Sequence, residues 1–290
     1  IPTSCGPPCT IVQTQMPGPA FAASPVTGTV IRWRMQGGSP SYPYRLRVVS
    51  RSGSTYTATG SSPSVVPLGP AAQAFPVSIP IQAGQLIGID LQPSAPLDRR
   101  EFVPGAAYAY ITPPVADGVP TPGVEAPEFP YEWAINADVL PPPSIASIAP
   151  AQGILASGST VKVKITGTNF AEVTGVTFGG VPTTYTVDSD SQITALPAAQ
   201  KKPGPQAVTV TTLAGTATAP KPYRYTACVV PKLAGKKLKA AKRLIRKGEC
   251  KVGFVKKRGE ATAKTGRVVA QKPPAGRTVR TGSKVRVTLG

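Results

Sequence analysis

Histidine is absent from all 290 residues. This removes the one side chain whose unperturbed pKa lies near neutrality, the commonest zinc ligand, and every Ser-His-Asp or Cys-His arrangement. Acidic residues are scarce, 13 against 32 Lys+Arg, so carboxylate pairs for acid–base chemistry have few candidates and the net charge is +19. Aromatic residues make up only 6% of the chain. No run reaches the roughly 18 apolar residues that a spanning helix needs. An enzyme is the least favoured class, and no catalytic residue, metal ligand or cofactor is assigned.

Proline (35) and glycine (29) are abundant, which argues against long helices and for short strands joined by turns. Hydrophobic content of 41% is enough for packed cores, and the length suits two or three domains. The charge is unevenly placed. Residues 1–141 carry 7 basic and 8 acidic residues, 142–226 carry 6 and 3, and 227–290 carry 19 and 2. One cationic module therefore follows two nearly neutral segments.

Four cysteines, Cys5, Cys9, Cys228 and Cys250, formally allow three connectivities. Cys5 and Cys9 enclose Gly6-Pro7-Pro8, and a local disulfide is the first choice; a redox C-x-x-C would lack the intervening third residue. The chain starts at Ile1 rather than Met, and a cleaved secretory signal would explain both that start and paired cysteines. The end at Leu289-Gly290 has no hydrophobic tail. The expectation is an exported, extracellular chain, its signal peptide removed, held to a surface noncovalently.

The first segment, 1–140, alternates as a half-buried sheet does. Ile31, Trp33 and Met35 oppose Arg32 and Arg34; Tyr44, Leu46 and Val48 oppose Arg45 and Arg47. Further runs at Phe75–Ile81, Leu86–Leu91, Ala107–Ile111 and Trp133–Val139 predict a jelly-roll-like β-sandwich of unknown role. The arginine pairs read as a solvated sheet face rather than a binding stripe. Pro113–Pro130 reads as a stiff surface excursion, a class of loop that often carries function.

Pro141-Pro142-Pro143 predicts a short stiff spacer. In the second segment, 141–226, Val161, Val163 and Ile165 alternate with Lys162 and Lys164. Gly167 and Gly179-Gly180 sit where turns are expected, and Asp188-Ser189-Asp190-Ser191 reads as a polar turn rather than a calcium loop. The ordered series Ser147-Ile148-Ala149-Pro150, Gly153, Gly158, Ile165 to Phe170, Val176 to Gly180, Ile193-Thr194-Ala195, Val208-Thr209-Val210 and Tyr223–Tyr225 resembles the IPT/TIG immunoglobulin-like domain. The resemblance implies a sandwich used as a spacer or interaction module.

In the third segment, 227–290, Lys236–Lys247 predicts a helix with Leu238, Ala241, Leu244 and Ile245 as its apolar stripe and Gly248 as its stop. Lys236 and Lys237 lie at the end where the helix dipole disfavours cations. Strands are expected around Lys251–Val255, Gly266–Gln271 and Ser283–Leu289, giving one helix on a three-stranded sheet. Cys228 and Cys250 flank the helix, and a bridge between them would stabilise by roughly 3 kcal/mol on the chain-entropy account. The residues Val230-Pro231, Gly235, Ala240-Ala241, Leu244, Gly248, Gly266 to Val269, Gln271 to Gly276 and Gly282 to Val285 resemble a PASTA domain. Such domains occur on bacterial wall-associated proteins and are associated with peptidoglycan recognition. The whole combination is similar to secreted bacterial proteins of actinobacterial type.

The functional expectation is a non-enzymatic extracellular surface protein. Its basic module binds cell-wall peptidoglycan or anionic wall polymers through Lys236, Lys237, Lys239, Lys242, Arg243, Lys256, Lys257 and Arg258, and the sandwiches act as spacers. The alternative is a self-assembling subunit of an extracellular filament, sheath or phage-like structure, with copies of itself or other surface proteins as partners. Specific nucleic-acid binding is poorly served, because Phe254 is the single aromatic of the basic module.

Overall fold

The structure, a computed structural model, describes residues 6–126, 129–155 and 161–290. It is mainly β and forms two compact units, one of Ile1–Pro142 with Thr212–Gly215 and one of Pro143–Thr211 with Thr216–Gly290.

The first unit contains β1 (Cys9–Gln15), β2 (Gly28–Met35), β3 (Arg45–Ser52), β4 (Thr55–Ser61), β5 (Gln73–Ile81), β6 (Leu86–Leu91), β7 (Arg99–Arg100), β8 (Ala107–Ile111), β9 (Thr121–Pro122), β10 (Val124–Glu125), β11 (Glu132–Trp133) and β12 (Ile135–Leu140). A seven-stranded sheet in the order β10-β8-β1-β6-β3-β4-β9 faces a three-stranded sheet, β12-β2-β5. Leu46 and Val48 of β3 and Ile89 and Leu91 of β6 share one core with Val30, Trp33 and Met35 of β2 and Ile81 of β5. Two sheets joined through their inner faces make the expected sandwich.

The other face of the large sheet is also buried. Val12, Val49, Tyr56, Ala58, Ala109 and Ile111 pack with Val115 in a second cluster. The cause lies in the 113–130 connection: many of its described residues are exposed, as expected of a surface excursion, but part of it packs on the sheet. Val115 and Ala126 are buried, β9 pairs with β4, and β10 pairs with β8. Because only Gly123 separates β9 from β10, one short segment spans both edges of the sheet and draws it into a closed curve. Gly123 permits this close approach, since a Cβ there would lie 2.6 Å from the Tyr56 ring and 2.9 Å from Ile111. Glu125 fixes the segment by accepting from the Tyr56 hydroxyl and pairing with Arg51 at 2.9 Å. Burial, reinforced by this carboxylate, pushes the Tyr56 phenol well above its usual range.

The same closure corrects the reading of Arg47 as a solvated residue. Its side chain is 8% exposed, and it pairs with Asp90 at 2.7 Å and Asp117 at 3.1 Å and donates to Ser61 at 2.7 Å. Alternation placed Arg47 opposite Leu46 correctly, but that opposite face is the inside of the curved sheet. Arg32 and Arg34 remain part-exposed, and both bind Asp138 of β12, at 2.8 and 2.6 Å.

Across residues 143–226, β13 (Ser144–Ala149), β14 (Gln152–Ile154), β15 (Val163–Thr168), β16 (Val173–Phe178), β17 (Val181–Pro182), β18 (Tyr185–Ser189), β19 (Gln192–Ala195), β20 (Gly204–Gln206), β21 (Val208–Thr212), β22 (Gly215–Thr218) and β23 (Tyr223–Thr226) form an immunoglobulin-like sandwich. Its sheets run β13-β15-β19-β18, β17-β16-β21-β22 and β14-β23-β20. Val163, Ile165, Ile193, Phe178, Val208 and Val210 form its core with Tyr223 and Tyr225. Burial, reinforced by Tyr223, pushes the Tyr225 phenol up to about 12. Two expectations need correction. Val161 lies before β15, which starts at Val163, and is exposed. Gly167 lies within β15 rather than at a turn, and its missing Cβ admits the Ser144 carbonyl and the Phe170 ring.

The remainder comprises β24 (Cys228–Val229), α1 (Leu238–Lys247), β25 (Lys251–Lys257), β26 (Val268–Lys272), β27 (Thr278–Val279) and β28 (Lys284–Leu289). The three-stranded sheet β25-β28-β26 carries α1 on one face, where Leu238, Ala241 and Ile245 meet Val268, Val285, Val287 and Leu289. Cys228 and Cys250 are joined by a disulfide. The expected Cys5–Cys9 bridge involves Cys5, which lies outside the described residues; Cys9 is buried at the start of β1.

Candidate polyanion-binding surface

The surface begins with a helix whose charges oppose its dipole. α1 has no acidic residue in its first turn, and its N-cap is Lys237, in extended backbone and with no side-chain cap. The last turn, with Arg246, Lys247 and the Gly248 stop, follows the usual preference. With the apolar stripe turned to the sheet, Lys237, Lys239, Lys242, Arg243 and Arg246 surround an open groove of about 580 Å³ floored by Ala240. Four of these cations were expected from sequence. Arg246, in the last turn, was not among them.

Lys236 and Arg258 belong to the same end of the module. Arg258 N–H donates to the Leu289 carbonyl at 2.9 Å, Gly290 and Arg267 exchange two backbone bonds of 3.0 Å, and Val268 N–H donates to the Lys236 carbonyl at 3.0 Å. Lys237 bridges to Arg267 in the same row. Arg258 and Arg267 thus gather at the helix start through backbone pairing that no local sequence pattern shows.

Lys256 and Lys257 do not join this group as one. They are neighbours on a strand and so project to opposite faces. Lys256 stands opposite Thr288, on the face of the sheet turned away from α1, whereas Lys257 stands opposite Leu289 at the end of the inner row. The away face also carries Lys251, Lys272, Lys284 and Arg286, all exposed. The alternation of Lys284 and Arg286 with Val285 and Val287 was the signal that could have revealed this second group.

None of the 19 basic residues of 227–290 takes part in an ion pair among the described residues. Of the module's two acidic residues, Glu249 pairs with Arg224 of β23, and Glu260 is exposed. The cations are therefore available to an external anion. No group of three or more Cys, Asp or Glu able to hold a metal occurs among the described residues. No helix there is long and apolar enough to cross a membrane.

The first unit has a cleft of about 610 Å³ lined by Met16, Phe21, Met35, Ile81, Trp133 and Val139, among others, and by no described residue of 113–130. Trp133 is buried and its indole N–H has no hydrogen-bond partner among the described residues. Beside it, Arg99 lies over the Tyr131 and Trp133 rings at 4.7 and 5.5 Å.

Comparison with known proteins bears on the second unit. No curated protein matches the chain. Among solved structures, SGBP-B from a complex xyloglucan utilization locus in Bacteroides uniformis is 16% identical, with a TM-score of 0.25, over 78% of this chain and 50% of that one. The plexin A4 extracellular region is 12% identical, with a TM-score of 0.26, over 81% of this chain and 27% of that one. The chain thus spans half or less of either structure's length. The IPT/TIG domain family matches residues 143–226 and the PASTA domain family matches residues 229–290. Both are binding or immunoglobulin-like modules, and together with the disulfide they fit a surface or cell-wall-associated protein. Residues 143–226 are an IPT/TIG domain and residues 229–290 a PASTA domain, with residues 1–142 outside both.

Proposed function

We propose that this is a secreted, non-enzymatic cell-surface protein whose PASTA domain docks on peptidoglycan or anionic wall polymers, with the preceding sandwiches acting as spacer and interaction modules. The observation that carries the reading is the set of 19 basic residues with no ion pair among the described residues. Stem-peptide carboxylates and polymer phosphates would replace small counterions on those side chains, and the gain from releasing the ions falls steeply with salt. The uncapped, cation-rich start of α1 supports it, since that placement weakens the free helix and favours an anion there. The filament alternative needs free strand edges, and the largest sheet of the first unit has its two edges bridged by 121–125.

The test is retention on purified bacterial walls at low and raised salt. The full chain is expected to bind at low salt and elute as salt rises. A variant with Gln at Lys237, Lys239, Lys242 and Arg243 should elute earlier. Retention of that variant equal to the parent's at every salt concentration would reject the helix face. Walls stripped of phosphate polymers separate the two ligand chemistries.

A further inference from the structure

The PASTA domain is a two-layer module, and its cations occupy both outer layers. On the sheet layer they are set in like-charge cross-strand register. Lys251 stands opposite Lys284 across β25 and β28, and Lys272 stands opposite Arg286 across β26 and β28. Like charges directly opposite one another destabilise a sheet, and no carboxylate among the described residues pairs with any of the four. Lys284 and Arg286 are two residues apart on the central strand, so the pairs repeat about every 7 Å along the same face. A Cβ at Gly253 would crowd the Val285 carbonyl oxygen at 3.0 Å and the Arg286 Cγ at 3.3 Å. Phe254, on the same edge strand, is 72% exposed.

We infer that the solvent face of this sheet is a second polyanion-binding surface, and that the module bridges two anionic strands, one on the helix face and one on the sheet face. This rests on the polyanion reading above. The occupant is a linear polymer with closely repeated anionic groups, because two facing cation pairs at strand spacing match a row of charges better than a single anion. Bridging follows from geometry. The apolar core between Ile245 of α1 and Val285 and Val287 of β28 separates the two surfaces, so one strand cannot contact both directly through the module.

The experiment uses the full chain with two probes, a linear polyphosphate and a polyglutamate of matched length, plus a short oligomer of each. Calorimetry with the short oligomer is expected to give two sites per chain, and light scattering with the long polymer to report cross-linking. Gln at Lys251, Lys272, Lys284 and Arg286 should halve the stoichiometry, abolish scattering and lower the salt slope of the long polymer by roughly 3. Arg at the three lysine positions should preserve scattering. These exposed substitutions relieve repulsion, so an unchanged or raised unfolding midpoint marks a folded variant. Scattering by the sheet-face Gln variant equal to the parent's would overturn the second surface. A parent that binds one oligomer and never cross-links would overturn bridging while the docking reading stands. A parent that binds neither probe would overturn both. The better probe identifies phosphate or carboxylate as the recognised group.

Discussion

Glu249, one residue past the helix stop of the PASTA domain, is ion-paired with Arg224 on the last long strand of the IPT/TIG domain. The module's best-placed carboxylate is thereby tied to the preceding domain rather than to its own cations. Thr281 reinforces the junction by donating to the Thr226 hydroxyl at 3.0 Å. Replacing Arg224 by Ala is expected to cost no more than about 1 kcal/mol, the usual worth of a part-exposed pair. It should nonetheless speed proteolytic cleavage near Thr226–Cys228. Unchanged cleavage kinetics would show that the pair does not hold the junction.

Arg47 offers a larger effect. It is buried against Asp90, and removing it leaves that carboxylate in a closed site without its charge partner. Arg47→Met should destabilise the first unit by about 3 kcal/mol or more, read as a fall in urea midpoint. Exchanging Arg45, half-exposed on the same strand and in no ion pair among the described residues, should leave the midpoint nearly unchanged.

The Cys228–Cys250 bridge closes a separation of 22 residues around α1. Both sulfurs are buried, so the Cys228→Ala, Cys250→Ala double variant avoids burying new hydroxyls. It should lose about 3 kcal/mol, chiefly through a freer unfolded chain. Denaturant unfolding of the double variant against the parent measures this, and reduction of the parent should reproduce most of it.

Asp138 sets a pH limit. Its hydrogen bonds from Arg34 and Arg32 outweigh burial and hold its carboxyl below the usual carboxylate range. A folded-state pKa below the unfolded one contributes stability that is present above about pH 4 and lost as pH falls through the depressed value. The melting temperature of the first unit should therefore drop below pH 4 more steeply in the parent than in Asp138→Asn. The variant starts lower at neutral pH because Arg32 and Arg34 lose their shared anion.

Period-two alternation identified β2 and β3, and short apolar runs between turn residues marked β5, β6 and β8. It missed β1, where Cys9 to Val12 are all buried and alternation disappears, since both faces of that central strand are covered. It also missed β9 and β10, two residues each, whose pairing partners lie tens of residues away. The helix-face cations were legible through the 3.6-residue spacing of Leu238, Ala241 and Ile245, which forces the lysines outward. Lys256 was misplaced because its face depends on the register slip between Val252 and Val255 in β25.

Residue type and local periodicity alone determined a β-rich chain, the single helix and the concentration of positive charge in the last 64 residues, since each depends on neighbours in sequence, while the two modules were legible through their resemblance to known families. Tertiary structure alone decided that Arg47 lies inside, that 121–125 closes a sheet, and that the charge is divided between two opposite surfaces. Those outcomes depend on which distant backbone hydrogen bonds form and in what register, and a shift of one residue moves a side chain to the other face.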